Sequence, residues 1–422
     1  MYPTLFRIPH QIGPLPVFGW GWALVAWAVY VVLGLGVTLI RGRRPSEVWG
    51  QIPFALLVAA VLVWVFPALE ETGSTGQPIG LAIRSYGVML LLAMVAAVGL
   101  AYLRARQVGL NPEIILSLAI WLFVGGIAGA RAFYVIEYWD EFQRETIWQT
   151  VAAIAKFTEG GLVVYGAVLG GLSAGAIFVR RHNLPILAMA DLIAPSLAVG
   201  LSLGRIGCFL TGCCFGGVCG DGHLCVAFPF GAPAYVHQFE EGTLWGIDLR
   251  VERDGRLMIK RVVPGSAAER AGLRAGQRLI YYRLHPWNEV WRERLAGNFD
   301  REAARTETEQ GERVLWKVGD LPATSRPVYP TQILASVNAA LLAWLAWTFY
   351  PIRRRDGTVF ALMFTLYPVS RFLLEILRDD EPGQFGTPLT ISQWFALLTL
   401  ILMAFLWWAI WKRPAQLAFG RR

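Results

Sequence analysis

The sequence predicts an all-α polytopic membrane protein of about nine transmembrane helices, interrupted by a small α+β extracytoplasmic insert. Three observations carry that prediction. Hydrophobic residues make up 55% of the 422-residue chain and charged ones only 16%, with a mean hydropathy of +0.47; a soluble domain does not have such a balance. Apolar runs recur at the length of about 20 residues that crosses a hydrocarbon core. Basic residues mark every second connection between those runs, which is the bias of cytoplasmic loops.

The runs lie near 17–40, 52–69, 86–106, 113–137, 161–179, 188–209, 333–351, 358–377 and 390–411. The run at 52–69 is the shortest and ends at Pro67. The first two form an N-terminal membrane block over 1–80, and a polar connection then leads into a first core part, 81–215. Composition turns globular and charged over 216–328, and a second core part fills 329–422. The basic connections are Arg41/Arg43/Arg44, Arg104/Arg106, Arg180/Arg181, Arg353/Arg354/Arg355 and Lys412/Arg413. The others carry acids, as in Glu70-Glu71 and Asp379-Asp380-Glu381. This alternation predicts an outside N-terminus, a cytoplasmic C-terminus and an extracytoplasmic 210–330 segment.

The net charge of +8 therefore reflects arginines facing anionic membrane lipids. The basic residues come in scattered pairs rather than a stripe interleaved with aromatics, which argues against a nucleic-acid partner. Trp20/Trp22/Trp27 and Trp407/Trp408/Trp411 suit interfacial belts. The first apolar run lacks a basic leader and is long enough to span, so it is read as a helix rather than a cleaved signal peptide.

Inside the insert, Trp245 to Val251 alternates like a strand, as does Leu257 to Val263. Pro264-Gly265-Ser266 and Ala271-Gly272-Leu273-Arg274-Ala275-Gly276 then read as turn, short helix and Gly-capped loop before another strand. Over about 244–282 this punctuation resembles the core of a PDZ domain, with Trp245-Gly246-Ile247 at the carboxylate-loop position. The resemblance implies a groove that takes an extended peptide as an added strand; a non-binding spacer is the competing reading.

The chemistry-bearing residues are arginines inside apolar runs. Arg205 follows Gly200 and Gly204 and precedes Gly207, Arg131 follows Gly125-Gly126-Ile127-Ala128-Gly129-Ala130, and Arg371 lies within Ser370-Arg371-Phe372-Leu373-Leu374-Glu375. A guanidinium at membrane depth costs several kcal/mol unless an anion or a water-filled cavity receives it. With few carboxylates to match, an anionic phospholipid headgroup is the expected partner. The competing reading is that each arginine snorkels to the surface or pairs with an acid such as Glu375.

In order, these motifs resemble the prolipoprotein diacylglyceryl transferase family from about Ile83 to Trp411, interrupted by the insert. Arg84-Ser85-Tyr86-Gly87 is similar to that family's Trp-Tyr-Gly start, and Gly129-Ala130-Arg131-Ala132-Phe133-Tyr134-Val135 to its Gly-Gly-Arg-x-x-Tyr-Val. Glu159-Gly160-Gly161-Leu162 with Gly166 resembles its glycine-rich motif. Asp191 to Pro195 precedes Gly204-Arg205-Ile206-Gly207, the most specific part of the resemblance. Tyr329-Pro330-Thr331-Gln332 resembles its His-Pro-Ser-Gln, and Ser370 to Glu375 its late arginine helix. The resemblance implies a bacterial inner-membrane enzyme. Such an enzyme moves a diacylglyceryl group from phosphatidylglycerol to the lipobox cysteine of a preprolipoprotein signal peptide, with no cofactor.

Under that reading Arg205 and Arg371 clamp the phosphate as catalytic residues. Tyr86 hydrogen-bonds a phosphate or glycerol oxygen, or is an interfacial-belt residue. Glu159 pairs an arginine or eases thiol deprotonation, or is a helix cap. Gly207, Arg131, Tyr165, Tyr329, Gln332 and Glu375 complete the substrate-binding set, with Arg131 mainly supporting the cavity. Tyr165 and Tyr329 stand where the family carries histidines, and all five histidines of this chain lie outside the predicted spans. The base and the choice of lipid or acceptor are therefore open: a related lipid transferase, a transporter, or a non-catalytic lipid-binding scaffold are the alternatives. All five cysteines, Cys208, Cys213, Cys214, Cys219 and Cys225, fall in one short stretch beside His223. In an exported loop disulfides are the expected state. An odd count leaves at least one thiol or an external bridge, and inert thiols are the alternative. The spacing matches no standard zinc pattern, so a metal, which would require His223, is not expected.

Overall fold

The computed structural model describes residues 4–40, 45–72, 77–144, 146–155, 163–219, 224–251, 256–295, 297–378, 383–384 and 386–419. Glu159 to Leu162, His223, Arg41, Arg43, Arg44 and Asp379 to Glu381, all singled out above, lie outside the described residues. The chain divides into two compact units, Met1–Val88 and Met89–Arg422.

In the first unit, strand β1 (Thr4–Pro9) pairs antiparallel with β2 (Pro78–Arg84), and the two-residue strand Glu71–Thr72 adds to the other edge of β2. Glu71 ties the strands together, receiving Arg7 at 2.8 Å and Arg84 at 3.3 Å. Helices α1 (Trp22–Ile40) and α2 (Pro45–Ala60) follow. The Trp27 indole donates to the Ala55 carbonyl at 3.1 Å, joining the two helices. Beyond α2 the helix widens into a π turn at Val61–Val65, and Phe66 stacks on Phe18 with centroids 4.8 Å apart.

Seven further long helices follow: α3 (Ser85–Gln107), α4 (Glu113–Glu137), α5 (Val164–Arg181), α6 (Ile186–Thr211), α7 (Thr331–Phe349), α8 (Thr358–Glu375) and α9 (Ile391–Trp411). All but α5 are long and apolar enough to cross a membrane, making six such helices among the described residues. The other three expected runs are also helical: α5 ends in Arg180-Arg181, α1 carries the shorter apolar stretch Trp22–Gly34, and the stretch Ile52–Ala68 runs from α2 through the π turn. The molecule is a mostly helical, multi-pass membrane protein.

Helix packing in lipid lacks a hydrophobic drive and relies on close backbone approach and interhelical hydrogen bonds. The α4–α5 pair uses the first device. Gly125, Gly129, Gly166 and Gly170 face one another so tightly that a Cβ on any of them would strike the opposite backbone. The other pairs use the second. Ser202 and Ser336 each donate to the other's carbonyl at 2.9 Å, joining α6 to α7. Asn338 donates to Ser370 at 2.8 Å between α7 and α8, and the Trp407 indole to Thr365 at 3.1 Å between α9 and α8.

At the start of α6, Asp191 is completely buried. Its oxygens accept the Gly357 N–H at 2.8 Å and the Phe360 N–H at 2.9 Å, and face Arg353 Nε at 3.3 Å. A carboxylate from one helix thus caps the N-terminus of another, α8, satisfying donors that have no intrahelical acceptor. At its other end α6 stops at Gly212, whose φ of +86° supplies the left-handed residue that closes a helix.

Between α6 and α7 lies the α+β head. Strands β3 (Ile247–Val251), β4 (Leu257–Val262), β5 (Arg278–Leu284), β6 (Glu302–Thr308) and β7 (Arg313–Lys317) form one sheet in sequential order, with β3 and β7 at its edges. The short helix Ala267–Arg270 sits where the Pro-Gly-Ser turn announced it, its Ser266 cap accepting the Glu269 N–H. Trp245, which the alternation assigned to a strand, instead ends a 3-10 turn, Thr243–Trp245, and β3 starts two residues later. Trp245, Tyr235, Phe239, Ile247, Ile259 and Trp316 pack a separate core. The head joins the membrane part through a neck: Val226 and Val328 exchange both backbone hydrogen bonds at 3.0 Å, and Phe230 donates to Ala323 at 3.1 Å.

Candidate functional site

At the Gly212 end of α6 the helices and the neck converge on a group of arginines and thiols. Tyr367, Arg371 and Glu375 are spaced four residues apart on α8 and so share one face of that helix. Arg205, on α6, is hydrogen-bonded to Tyr367 and lies close enough to Arg371 for the two charges to repel. Glu375, 2% exposed, binds Arg371 Nη1 at 2.7 Å and Arg378 Nη1 at 3.3 Å through one oxygen, and Thr390 Oγ1 at 3.2 Å through the other. Arg371 also donates to Ser392 at 3.3 Å. Among the described residues, Glu375 therefore serves the Arg371 and Arg378 guanidiniums, with Arg205 beside Arg371.

The segment after Gly212 closes this site. Gln332 donates to the Cys213 carbonyl at 2.7 Å and Thr331 to the Cys214 carbonyl at 2.8 Å. Gly216 donates to the Tyr329 carbonyl and Gly217 to that of Leu377, both at 2.9 Å. Gln332 is 1% exposed, and its Oε1 has no hydrogen-bond partner among the described residues.

Turning the chain back at Gly212 brings Cys213 and Cys214 onto Cys208, so that all three Sγ atoms lie within 4.8 Å of one another. Cys214 takes φ +55°, unusual for a residue with a side chain. Hydrogen bonds from Cys208 and Cys213 hold the Cys214 thiol below the ordinary thiol range, and the Arg205 and Arg378 charges pull the same way. Hydrogen bonding to its two partners pushes Cys213 up. Cys219 and Cys225 form a disulfide, with Cα atoms 6.3 Å apart. The expectation of disulfides thus describes one pair, and three cysteines are free thiols.

A profile of the prolipoprotein diacylglyceryl transferase family matches residues 74–409 of this sequence. The chain belongs to that family. A phosphatidylglycerol–prolipoprotein diacylglyceryl transferase of Rhodopirellula baltica is 38% identical over 439 aligned positions, covering 95% of this chain and 87% of its own. One from Gloeobacter violaceus is 38% identical over 152 positions, 35% of this chain and 55% of its own. A second such transferase of Clostridium perfringens is 24% identical over 328 positions, 77% and 90% of the two chains.

Of the residues singled out in the sequence, Arg205, Arg371, Glu375, Gln332 and the three free cysteines meet in this region, and Gly207 is buried on α6 one turn before Thr211, whose hydroxyl donates to its carbonyl. Tyr329 contributes backbone hydrogen bonds to the closing segment, and its ring is exposed. Arg131 is spent elsewhere, donating to the Ile154 carbonyl at 2.8 Å and the Ala153 carbonyl at 3.0 Å. Tyr165 stacks on Phe395 of α9 at 4.8 Å. Tyr86 lies near the start of α3, half-exposed. Two participants escaped the sequence reading. Tyr367 is one turn before Arg371, a spacing that would have found it; Arg378 lies past the helix end, where spacing gives no such guide.

Proposed function

We propose that the protein transfers the diacylglyceryl group of phosphatidylglycerol to the lipobox cysteine of an exported preprolipoprotein. The observation that carries this reading is the convergence of the Arg205, Arg371 and Arg378 guanidiniums at the Gly212 end of α6, with Glu375 between two of them and Tyr367 hydrogen-bonded to the third. The acceptor sulfur attacks the glyceryl carbon as a thiolate, the S–C bond forms, and the C–O bond to phosphate breaks. The pair of electrons stays on glycerol phosphate, and the thiol proton leaves to a base. Charge builds on the phosphate as this happens, and fixed guanidiniums stabilise it without reorganising. Tyr367 orients Arg205, and Glu375 holds Arg371 and Arg378 in place. An apolar cavity of about 380 Å³ lined by Leu100, Val199, Leu203, Ala340 and Trp344, between α3, α6 and α7, suits an acyl chain.

In this reading all nine helical runs cross the inner membrane, the N-terminus and head lie outside and the C-terminus lies in the cytoplasm. The head then stands where exported substrates arrive. Its edge strand β3 follows Trp245-Gly246, next to a cavity of about 340 Å³ lined by Gly246, Ser266, Arg270 and Arg326. That arrangement favours a PDZ-like module adding an extended peptide at β3.

The test is transfer of label from radiolabelled phosphatidylglycerol to a lipobox peptide by the purified protein and by Arg205→Ala. We expect label on the peptide cysteine with wild type and a loss of about 100- to 1,000-fold in the variant. Lipid binding by wild type with no transfer would sink the assignment.

A further inference from the structure

We propose that Cys208, Cys213 and Cys214 bind a single soft d¹⁰ cation, copper(I), at the rim of the arginine site. This departs from the sequence expectation of a metal-free cluster, and it does not depend on His223. The three Sγ atoms already lie within 4.8 Å of one another. Metal–sulfur bonds of about 2.3 Å in a trigonal set place sulfurs about 4 Å apart, so closing the site needs a contraction of less than about 1 Å. The three residues come from the last turn of α6 and the reversal after Gly212, and the Gln332 and Thr331 side chains hold the carbonyls of Cys213 and Cys214. A triangle of thiols is thus built by fixed backbone rather than assembled from mobile loops.

The donor set selects the ion. Thiolates favour copper(I) and zinc(II) over harder cations. Structural zinc sites are almost always four-coordinate, and no fourth His, Cys, Asp or Glu joins this group among the described residues. Copper(I) accepts three sulfurs. Binding replaces three S–H protons by one Cu⁺, releases the protons to solvent and leaves a tris-thiolate complex of charge two minus. The Arg205 and Arg378 guanidiniums both act on Cys214 and together offset that charge. The remaining pair, Cys219 and Cys225, is bonded to itself and cannot contribute. No redox step is involved, because copper arrives and stays as Cu(I). An occupied cluster would place a dianion where Arg205 otherwise meets a phosphate, so copper and an anionic headgroup compete.

The experiment uses the full-length protein in nanodiscs, reduced and kept anaerobic, titrated with Cu(I) alone. Bound copper is measured by elemental analysis and thiol protection by maleimide labelling and mass spectrometry. The expected result is one copper per chain, with Cys208, Cys213 and Cys214 shielded from maleimide in the loaded protein and labelled in the copper-free protein. Cys214→Ser should lose more affinity than the roughly 10- to 100-fold that a lost outer partner costs, Arg378→Gln should fall within that range, and Cys219→Ser/Cys225→Ser should bind as wild type does. Equal labelling of the three thiols with and without copper, or unchanged binding in Cys214→Ser, would overturn the proposal. The labelling comparison is made on unmodified protein, so a variant that fails to fold leaves it decisive. It also reads no transfer chemistry, so its outcome is separate from that of the transferase assay.

Discussion

The two ends of α6 meet arginines to opposite effect. At one end the buried Asp191 accepts two backbone N–H groups and faces Arg353, which donates in turn to the Tyr350 carbonyl at 2.9 Å. At the other, about 21 Å away along the helix, Arg205 is hydrogen-bonded to Tyr367 and lies near Arg371, which shares Glu375 with Arg378. A compensated charge inside a membrane protein is architecture. A guanidinium at membrane depth costs several kcal/mol unless an anion or water receives it, and in the proposed reaction the phosphate is that anion. The difference separates the arginine that holds the fold from those to which the proposed reaction assigns the phosphate.

Substitutions at each end should break the comparison in different currencies of measurement. Asp191→Ala leaves Arg353 buried without its carboxylate and uncaps α8, so we expect a loss of about 3–5 kcal/mol of stability, read as a fall in thermal unfolding temperature in detergent. Survival at the wild-type temperature would mean the pair is not structural. Arg205→Lys keeps the charge but loses the planar fork, and its transfer rate should drop at least about tenfold, ~1.4 kcal/mol, with unfolding temperature unchanged. A large stability loss in this variant would move Arg205 to the architectural class. The smallest effect belongs to the head, where Arg326 meets Asp248 at 2.8 Å on a partly exposed surface. Asp248→Asn should cost no more than about 1 kcal/mol and less still at high salt; a larger loss would mean that pair anchors the neck.

Much of this was legible in the sequence because membrane helices announce themselves by length and composition. Six of the nine expected spans are helices long and apolar enough to cross a membrane, the other three runs are helical, and the strands, turn and short helix of the head fall near their expected places. Arg371 with Glu375 was legible too, since a spacing of four puts both on one helix face. Long-range partners were not. Nothing local to Asp191 points to Arg353, which read as one of three loop arginines, and nothing local to the glycines before Arg131 shows that they let α4 touch α5. The cysteines show the same limit: their spacing could not choose a pairing, because the left-handed turn at Gly212 decides which thiols meet.

The neck has a consequence for how such a chain can change. Val226 and Val328 lie side by side and bond to each other in both directions, so the head leaves the membrane part and returns at the same point. Material can be added or removed beyond that point without altering the path of α6 into α7, much as a side room can be built onto a corridor. A shortened chain joining the strands at the neck by a tight turn should keep its membrane helices in register. The head can therefore diversify independently of the helices beneath it.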